Sequence, residues 1–303
     1  MKHILLGAVA AAGLFGTATA AQTEYLTRGV VAVKADQGVF VSWRSLVSDA
    51  ESMTFDLYRN GVKLNDTPIS TVTSYSDPDG KGGDTYEVRA IVGNETVDTG
   101  DCTAWATPYM NVHLDRPEGG TVEGSSYTYT PDDVSVGDVD GDGVYELFVK
   151  WVPSNAKDSA SKGFTGNTIM DCYKLDGTKL WRIDLGHNIR SGNHYTQFMV
   201  YDFDGDGSAE MICKTAPGTI DGKGNPVLLG DDKVTDDYRM HVDSPSKILG
   251  HVRGGSEYLT CFSGKTGENL STIPWAPRYD IVAESVWGDI NFNAKNWRRT
   301  ALL

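Results

Sequence analysis

Asp138-Val-Asp-Gly-Asp-Gly-Val-Tyr-Glu146 and Asp202-Phe-Asp-Gly-Asp-Gly-Ser-Ala-Glu210 are two nine-residue phrases with one pattern of acids and glycines. Each holds four carboxylates in a stretch too short for a helix. Like charges so close require a counter-ion or solvent. A hard cation with roughly six to eight oxygen ligands suits them, and the glycines let the backbone curl around it. The phrases therefore read as Ca2+ loops. Asp138, Asp140, Asp142 and Glu146 are the expected ligands in the first, and Asp202, Asp204, Asp206 and Glu210 in the second. A backbone carbonyl near the seventh position completes each set. The competing reading is a pair of Asx-type turns with acids facing water, which explains the glycines but not the matched offsets.

The pattern is not that of an EF-hand, whose glutamate stands at position twelve on an exiting helix. Here the glutamate is ninth and strand-like residues follow at once, Leu147 to Trp151 and Met211 to Lys214. Val134 and Val136 precede the first loop, and Phe198, Val200 and Tyr201 the second. Each loop thus joins two strands. Outward from them the repeat continues. Ile169 to Trp181 matches Tyr258 to Leu270 as a strand, a glycine turn and a return strand, with Cys172 aligned to Cys261. Four antiparallel strands per unit is the grammar of a β-propeller. Equivalent residues of neighbouring units sit a blade apart, so a Cys172–Cys261 disulfide, which needs Cα atoms within about 7 Å, is not expected. Cys172, Cys213 and Cys261 lie in apolar runs where free thiols pack as small hydrophobes, while the state of Cys102 is open.

The long polar segments Ser154–Thr168 and Pro217–Gly255 interrupt the units and are the natural places for binding. Asp221-Gly-Lys-Gly-Asn225 with Asp231 to Asp237 is a candidate for a third calcium site. Before this region, residues 22–108 alternate as six or seven short strands with turns at Asp36 to Gly38, Asn60-Gly61 and Gly93-Asn94. A fibronectin-like or immunoglobulin-like β-sandwich follows, with Trp43 and Tyr58 expected in its core. Residues 109–303 are then an incomplete propeller of two to three blades, the third opening at Val286-Trp-Gly-Asp289. The tail after Asn293 leaves strand grammar, and truncation of a longer chain is expected because a partial ring leaves a raw edge.

Lys2 and His3, the apolar run Ile4 to Phe15 and the small residues Ala18-Thr-Ala20-Ala21 form a secretory signal peptide over residues 1–21. The mature chain is expected outside the cytoplasm, extracellular or periplasmic, without a membrane span. The formal charge of -14, from 27 basic and 41 acidic residues, argues against nucleic acid as partner. It does not exclude an acidic substrate, because local cations can reverse the potential of a cleft. A monomer is expected.

The chain resembles the amino-terminal half of a family 11 polysaccharide lyase, a rhamnogalacturonan lyase. The resemblance starts at Thr27 to Val33, passes through Val41-Ser-Trp-Arg44 and Tyr58-Arg-Asn-Gly61, and takes in the first acidic loop. It is strongest over Leu185-Gly-His-Asn-Ile-Arg-Ser-Gly-Asn-His-Tyr-Thr-Gln-Phe198 and Asp202 to Thr215, then continues through Gly254 to Thr260 and Trp287-Gly-Asp289. It implies a small β-sandwich followed by an eight-bladed calcium-rich propeller. It implies β-elimination at the rhamnose–galacturonic acid backbone of rhamnogalacturonan I, a plant cell-wall polysaccharide. Pro217 stands where the family usually has aspartate. The family's basic and tyrosine catalytic residues fall largely beyond this chain, so this polypeptide could be inactive.

Elimination needs positive charge at the uronate carboxylate and a base near C5. The richest local source is His187, Arg190 and His194. In the functional reading Arg190 contacts a uronate while His187 and His194 ligate metal or touch sugar; in the plain one both histidines hydrogen-bond in a structured crossover. Lys214 is a candidate rim lysine. His241 and His251 flank a long loop, Glu257 could reach calcium, and Trp151 and Trp181 are expected to pack. Two rivals stand beside a lyase. A non-catalytic calcium-dependent propeller has no need of the His187 to Tyr195 phrase. A glycoside hydrolase needs two carboxylates roughly 5 to 9.5 Å apart, and the best-placed acids here are assigned to metal.

Overall fold

The computed structural model describes residues 26–158, 161–192, 196–242, 249–252, 254–275, 285–286 and 289–290. The segment 1–21, His194 and Trp287 lie outside them. The described chain is all-β, built from several antiparallel sheets with no helix.

The amino-terminal strands are β1 (Val31–Lys34), β2 (Val39–Ser42), β3 (Thr54–Arg59), β4 (Val62–Lys63), β5 (Ser74–Asp77), β6 (Thr85–Val92) and β7 (Glu95–Thr103). They form a sheet ordered β1-β2-β5 and another ordered β4-β3-β6-β7. Val41 of the first, and Trp43 just after it, share one buried cluster with Phe55, Leu57, Tyr86 and Val88 of the second. Asn60 (φ 50°) and Gly61 (φ 79°) both take positive φ between paired Arg59 and Val62, the two-residue type I′ turn that Asn-Gly favours. Tyr58 is not in the core. Leu57 points inward, so Tyr58 must face out, where the Arg89 guanidinium lies 4.0 Å from its ring centroid. The fully buried tyrosine is Tyr86, whose hydroxyl donates to Asp77 at 2.7 Å.

After the hairpin β8 (Gly120–Val122) and β9 (Ser125–Tyr127), the chain enters β10 (Tyr129–Gly137), β11 (Glu146–Pro153), β12 (Ile169–Tyr173) and β13 (Lys179–Asp184). These pair in chain order as one sheet. The strands β14 (Phe198–Tyr201), β15 (Glu210–Thr215), β16 (Tyr258–Ser263) and β17 (Asn269–Pro274) repeat the arrangement. The repeat extends to its irregularities: register shifts between Cys172 and Tyr173 in one sheet and between Cys261 and Phe262 in the other. Cys172 and Cys261 thus hold matched positions, and all four cysteines are free thiols.

One face of the first sheet, with Phe148, Met170, Cys172 and Trp181, shares a core with Met211, Cys213, Tyr258 and Phe262 of the second. The Trp181 indole crosses that interface to donate to the Gly264 carbonyl at 2.6 Å. The other face buries Val149, Trp151 and Tyr173 beneath Leu114 and Tyr127, and Trp151 donates to Asp171 at 2.8 Å. Both tryptophans pack, as their strand positions require. A final pair, β18 (Ser285–Val286) with β19 (Asp289–Ile290), stands where a third unit is expected to open.

Candidate metal loops and the crossover between the sheets

The acidic phrases are the β10–β11 and β14–β15 connections, with Glu146 and Glu210 as the first residues of the exiting strands. The loops are neighbours, the Ala209 amide donating to the Asp138 carbonyl at 2.7 Å. Both loops line a cleft of about 270 Å³ together with Thr27, Arg44 and Tyr145.

Within the first loop, Asp138 Oδ1 accepts from the Gly141 amide at 2.7 Å and Oδ2 from the Gly143 amide at 2.8 Å. Asp202 repeats these bonds to Gly205 at 2.7 Å and Gly207 at 2.9 Å. Glu146 and Glu210 reach back to the amides of Val139 (3.1 Å) and Phe203 (2.9 Å). The turn chemistry of the competing reading is therefore real, and it sets the curl. It leaves oxygens converging all the same. Asp138, Asp140 and Glu146 in one loop, and Asp202, Asp204 and Asp206 in the other, each offer an oxygen within 4.8 Å of the others. Either group could hold a metal ion. Asp142 and Glu210 are not in these triads, although they make the same backbone bonds as their counterparts Asp206 and Glu146. Asp142 accepts from the Val144 amide at 2.8 Å, and Glu210 is turned to Phe203.

A cation fits the first loop in particular. Asp140 Oδ1 is buried without a hydrogen-bond partner among the described residues, while its Oδ2 takes Lys174 Nζ at 3.1 Å. Buried carboxylate oxygen left unpaired is costly, and a bound cation satisfies it. Burial, reinforced by Asp140 and Asp142, pushes the Glu146 carboxyl above its ordinary pKa. Burial and the loop aspartates do the same to Glu210. Lys174 escaped the sequence reading. The only signal for it was its place at the end of β12, which the repeat brings back beside the loop.

The acidic stretch of the second long segment does not gather into a third site. Asp221 accepts from the amides of Lys223, Asn225 and Asn269. Asp232 binds the hydroxyls of Ser256 and Tyr258, and Asp237 binds Arg239 and His241. Among the described residues only the two loop groups bring three acids together. The acids of 221–237 are spent as turn and loop fasteners.

His187 and Arg190 sit in the crossover between β13 and β14 and grip backbone. His187 Nε2 lies 2.8 Å from the Asp236 carbonyl. Arg190, 8 % exposed, donates to the carbonyls of Asp158 (3.1 Å) and Gly163 (3.4 Å), and to that of Ser161. For His187 that hydrogen bond is the one the plain reading expects, and Arg190 makes backbone contacts of the same kind. Between them, fully buried Asn188 donates to the carbonyls of Asp236 (2.7 Å) and Pro217 (2.8 Å) and accepts from the Tyr238 amide (2.8 Å). Asn188 was missed because asparagine in a turn-rich phrase reads as a surface residue. Lys214 pairs with Glu257 at 3.0 Å and lies 4.9 Å from the Trp275 ring centroid, so Glu257 serves a lysine and stands outside both loop triads.

Repeated four-stranded antiparallel sheets with matched acidic loops define an all-β class of chain, and comparison with known proteins gives its family. Residues 21–105 match the rhamnogalacturonan I lyase beta-sheet domain, and residues 109–300 match the C-terminal domain of rhamnogalacturonan lyase family 11. The chain belongs to rhamnogalacturonan lyase family 11. It is 53 % identical over 272 residues to the rhamnogalacturonan endolyase YesW of Bacillus subtilis (strain 168), covering 89 % of this chain and 42 % of the relative. It is 48 % identical over 270 residues to the exolyase YesX of the same organism, again 42 % of that relative's length. The solved YesW structure superposes with a TM-score of 0.77 at 52 % identity, over 86 % of this chain and 43 % of that one. The Bacillus licheniformis family 11 lyase structure gives 0.76 at 48 % identity, over 86 % of this chain and 43 % of that one. The chain spans about two-fifths of the length of the relatives it matches. Among the described residues no helix is long and apolar enough to cross a membrane.

Proposed function

We propose that the chain is part of a secreted rhamnogalacturonan lyase acting on the rhamnogalacturonan I backbone of pectin. The observation carrying this is 53 % identity to an endolyase across both the amino-terminal sheets and the repeated four-stranded sheets. In this reading residues 22–108 are a fibronectin-like sandwich and 109–303 are blades of a propeller. The three-strand and four-strand sheets around one core support the first, and the recurring β10–β13 and β14–β17 sheets support the second. Calcium is the ion assigned to the acidic loops, where the donor set is all oxygen. Asp138, Asp140 and Glu146 would hold one ion, and Asp202, Asp204 and Asp206 another. Asp142 and Glu210 would complete the two sets. Calcium there would supply the positive charge that offsets the repulsion among the loop carboxylates. The leader at residues 1–21 and the acidic mature chain accord with export.

In the elimination a base removes the C5 proton of galacturonate, the C4–oxygen bond breaks, and a C4–C5 double bond forms as the leaving oxygen gains a proton. Interactions at the uronate carboxylate that strengthen as charge moves onto it lower the barrier. In this chain Arg190 and His187 would act by fastening the long loops, and Lys214, paired with Glu257, would be the cation that a uronate draws away. His194 belongs to the same phrase. The test is incubation of the chain with rhamnogalacturonan I and calcium, following the ultraviolet absorbance of the unsaturated uronate product. Growth of that absorbance supports the reading. New reducing ends without it mean a hydrolase, and binding without either means a carbohydrate-binding protein.

A further inference from the structure

The first acidic loop is also where the amino-terminal part of the chain comes to rest. A Cβ on Gly143 (φ 84°) would lie 2.9 Å from Thr27 Cγ2. Beside that contact the Arg44 guanidinium lies 5.4 Å from the Tyr145 ring centroid. Gly29 lies close to the same guanidinium, since a Cβ there would stand 2.9 Å from Arg44 Cζ. Arg44 Nη1 donates to the Thr27 carbonyl at 3.4 Å, and the Arg44 amide to the Arg28 carbonyl at 2.7 Å. Residues 26–29 and Arg44 thus make one saddle. Buried Arg28 anchors it to the amino-terminal sheets through Asp49 and Asp98.

Both loop residues that the saddle meets are tied to expected metal ligands. The Gly143 amide donates to Asp138 Oδ2 at 2.8 Å, and Tyr145 directly precedes Glu146. Their positions therefore follow how tightly the loop carboxylates are drawn together. Carboxylates held close repel, and a cation among them removes that repulsion. A loosened loop carries Gly143 and Tyr145 away from the saddle. Among the described residues Arg44 forms no ion pair, so its share is contact with the ring and not neutralisation of the acids. We propose that cation binding in the first loop and docking of the amino-terminal sheets on that loop strengthen each other, with Thr27, Arg44 and Tyr145 as the contacts that carry the linkage. This rests on the reading of the acidic loops as calcium sites. Such linkage is reciprocal: the factor that docking adds to calcium affinity is the factor that calcium adds to docking.

The experiment is calorimetric titration of calcium into Asp204→Ala, which keeps the first loop intact, with and without Arg44→Gln. Plain electrostatics makes loss of a positive charge beside a cation site raise its affinity. Linked docking makes the affinity fall, by about fivefold or more. Lys34→Gln in the same background removes an equal charge elsewhere in the amino-terminal sheets and should leave the affinity unchanged. Hydrogen exchange reads the reciprocal effect, and on wild type it needs no variant to fold. Calcium should slow exchange of residues 26–29 and 44 in wild type and in Asp204→Ala but not in Asp140→Ala, with β3 and β6 as internal reference. Equal or higher calcium affinity after Arg44→Gln overturns the linkage, as does exchange of 26–29 that ignores calcium in wild type. Loss of the protection in Asp204→Ala as fully as in Asp140→Ala overturns its assignment to the first loop. In each of these cases calcium still binds and the metal reading stands. No heat of calcium binding by wild type defeats the metal reading, and the linkage with it.

Discussion

The Arg28 guanidinium, 3 % exposed, forks onto Asp49 with both bonds at 2.7 Å and reaches Asp98 at 2.6 Å. A buried arginine needs such partners, and removing one leaves a charge in apolar surroundings. The bond from Arg28 holds the Asp49 carboxyl below its ordinary value of 3.8. The sign follows directly. A lowered folded-state pKa means stability present above the unfolded value and lost as pH falls through the folded one. Asp49→Asn is expected to cost about 3 kcal/mol at neutral pH. The cost should shrink once the pH drops below 3.8, where wild type loses the same interaction. Urea denaturation across that range checks it, and a pH-independent cost would refute the ion pair as the source. None of this was visible in the sequence, where Arg28 and Asp49 are merely two charges in a polar neighbourhood.

At the scale of the elements, the two four-stranded sheets were legible because their signals are local. Strand alternation, a glycine turn and an acid-rich connection each occupy fewer than ten residues, and their recurrence in the same order sets the repeat. How closely the sheets approach is a different matter. Gly137 ends β10, and a Cβ there would sit 2.6 Å from Val200 Cγ1 and 2.8 Å from the Ala209 Cβ. Its backbone does not take positive φ, so the requirement is space alone. Gly137→Ala should therefore destabilise by roughly 1 to 3 kcal/mol through overpacking. Chemical denaturation followed by tryptophan fluorescence reads this out, with Trp181 reporting from the same interface. An unchanged midpoint would mean that the sheets are not in contact there. Tyr58 and Tyr86 show the same limit. Both stand in strand-like runs, and the partner sheet decides which tyrosine is covered.

For the whole molecule the prediction concerns the metal. Each loop joins adjacent strands of one sheet, so an ion bound only by the folded state adds about 2.7 kcal/mol at a hundredfold excess over Kd. Calcium is expected to raise the melting temperature of the chain, and chelation should open the repeated sheets before the amino-terminal ones. Hydrogen exchange of β11 and β15 against β3 and β6 measures the difference. Asp140→Ala and Asp204→Ala should each lower the calcium-induced rise and leave the metal-free melting temperature close to that of wild type. Identical melting of all three proteins with and without calcium would reduce the loops to turns.

The order of strands, the strand-to-strand placing of both acidic loops, the type I′ hairpin and the matched cysteines follow from contacts within a few dozen residues, and the chain encodes them in local pattern. The same holds for the family, since the long Leu185 to Phe198 phrase and the acidic loops are contiguous. Tertiary structure alone settled which acids converge, and it alone brought Lys174 to one Asp140 oxygen while burying the other without a hydrogen-bond partner among the described residues. It also turned His187 and Arg190 toward the backbone of loops up to about fifty residues away, and dispersed the acids of 221–237 among separate partners. Side-chain direction depends on what folds back against it. That information lies in the packing of distant segments, which spacing along the chain does not carry.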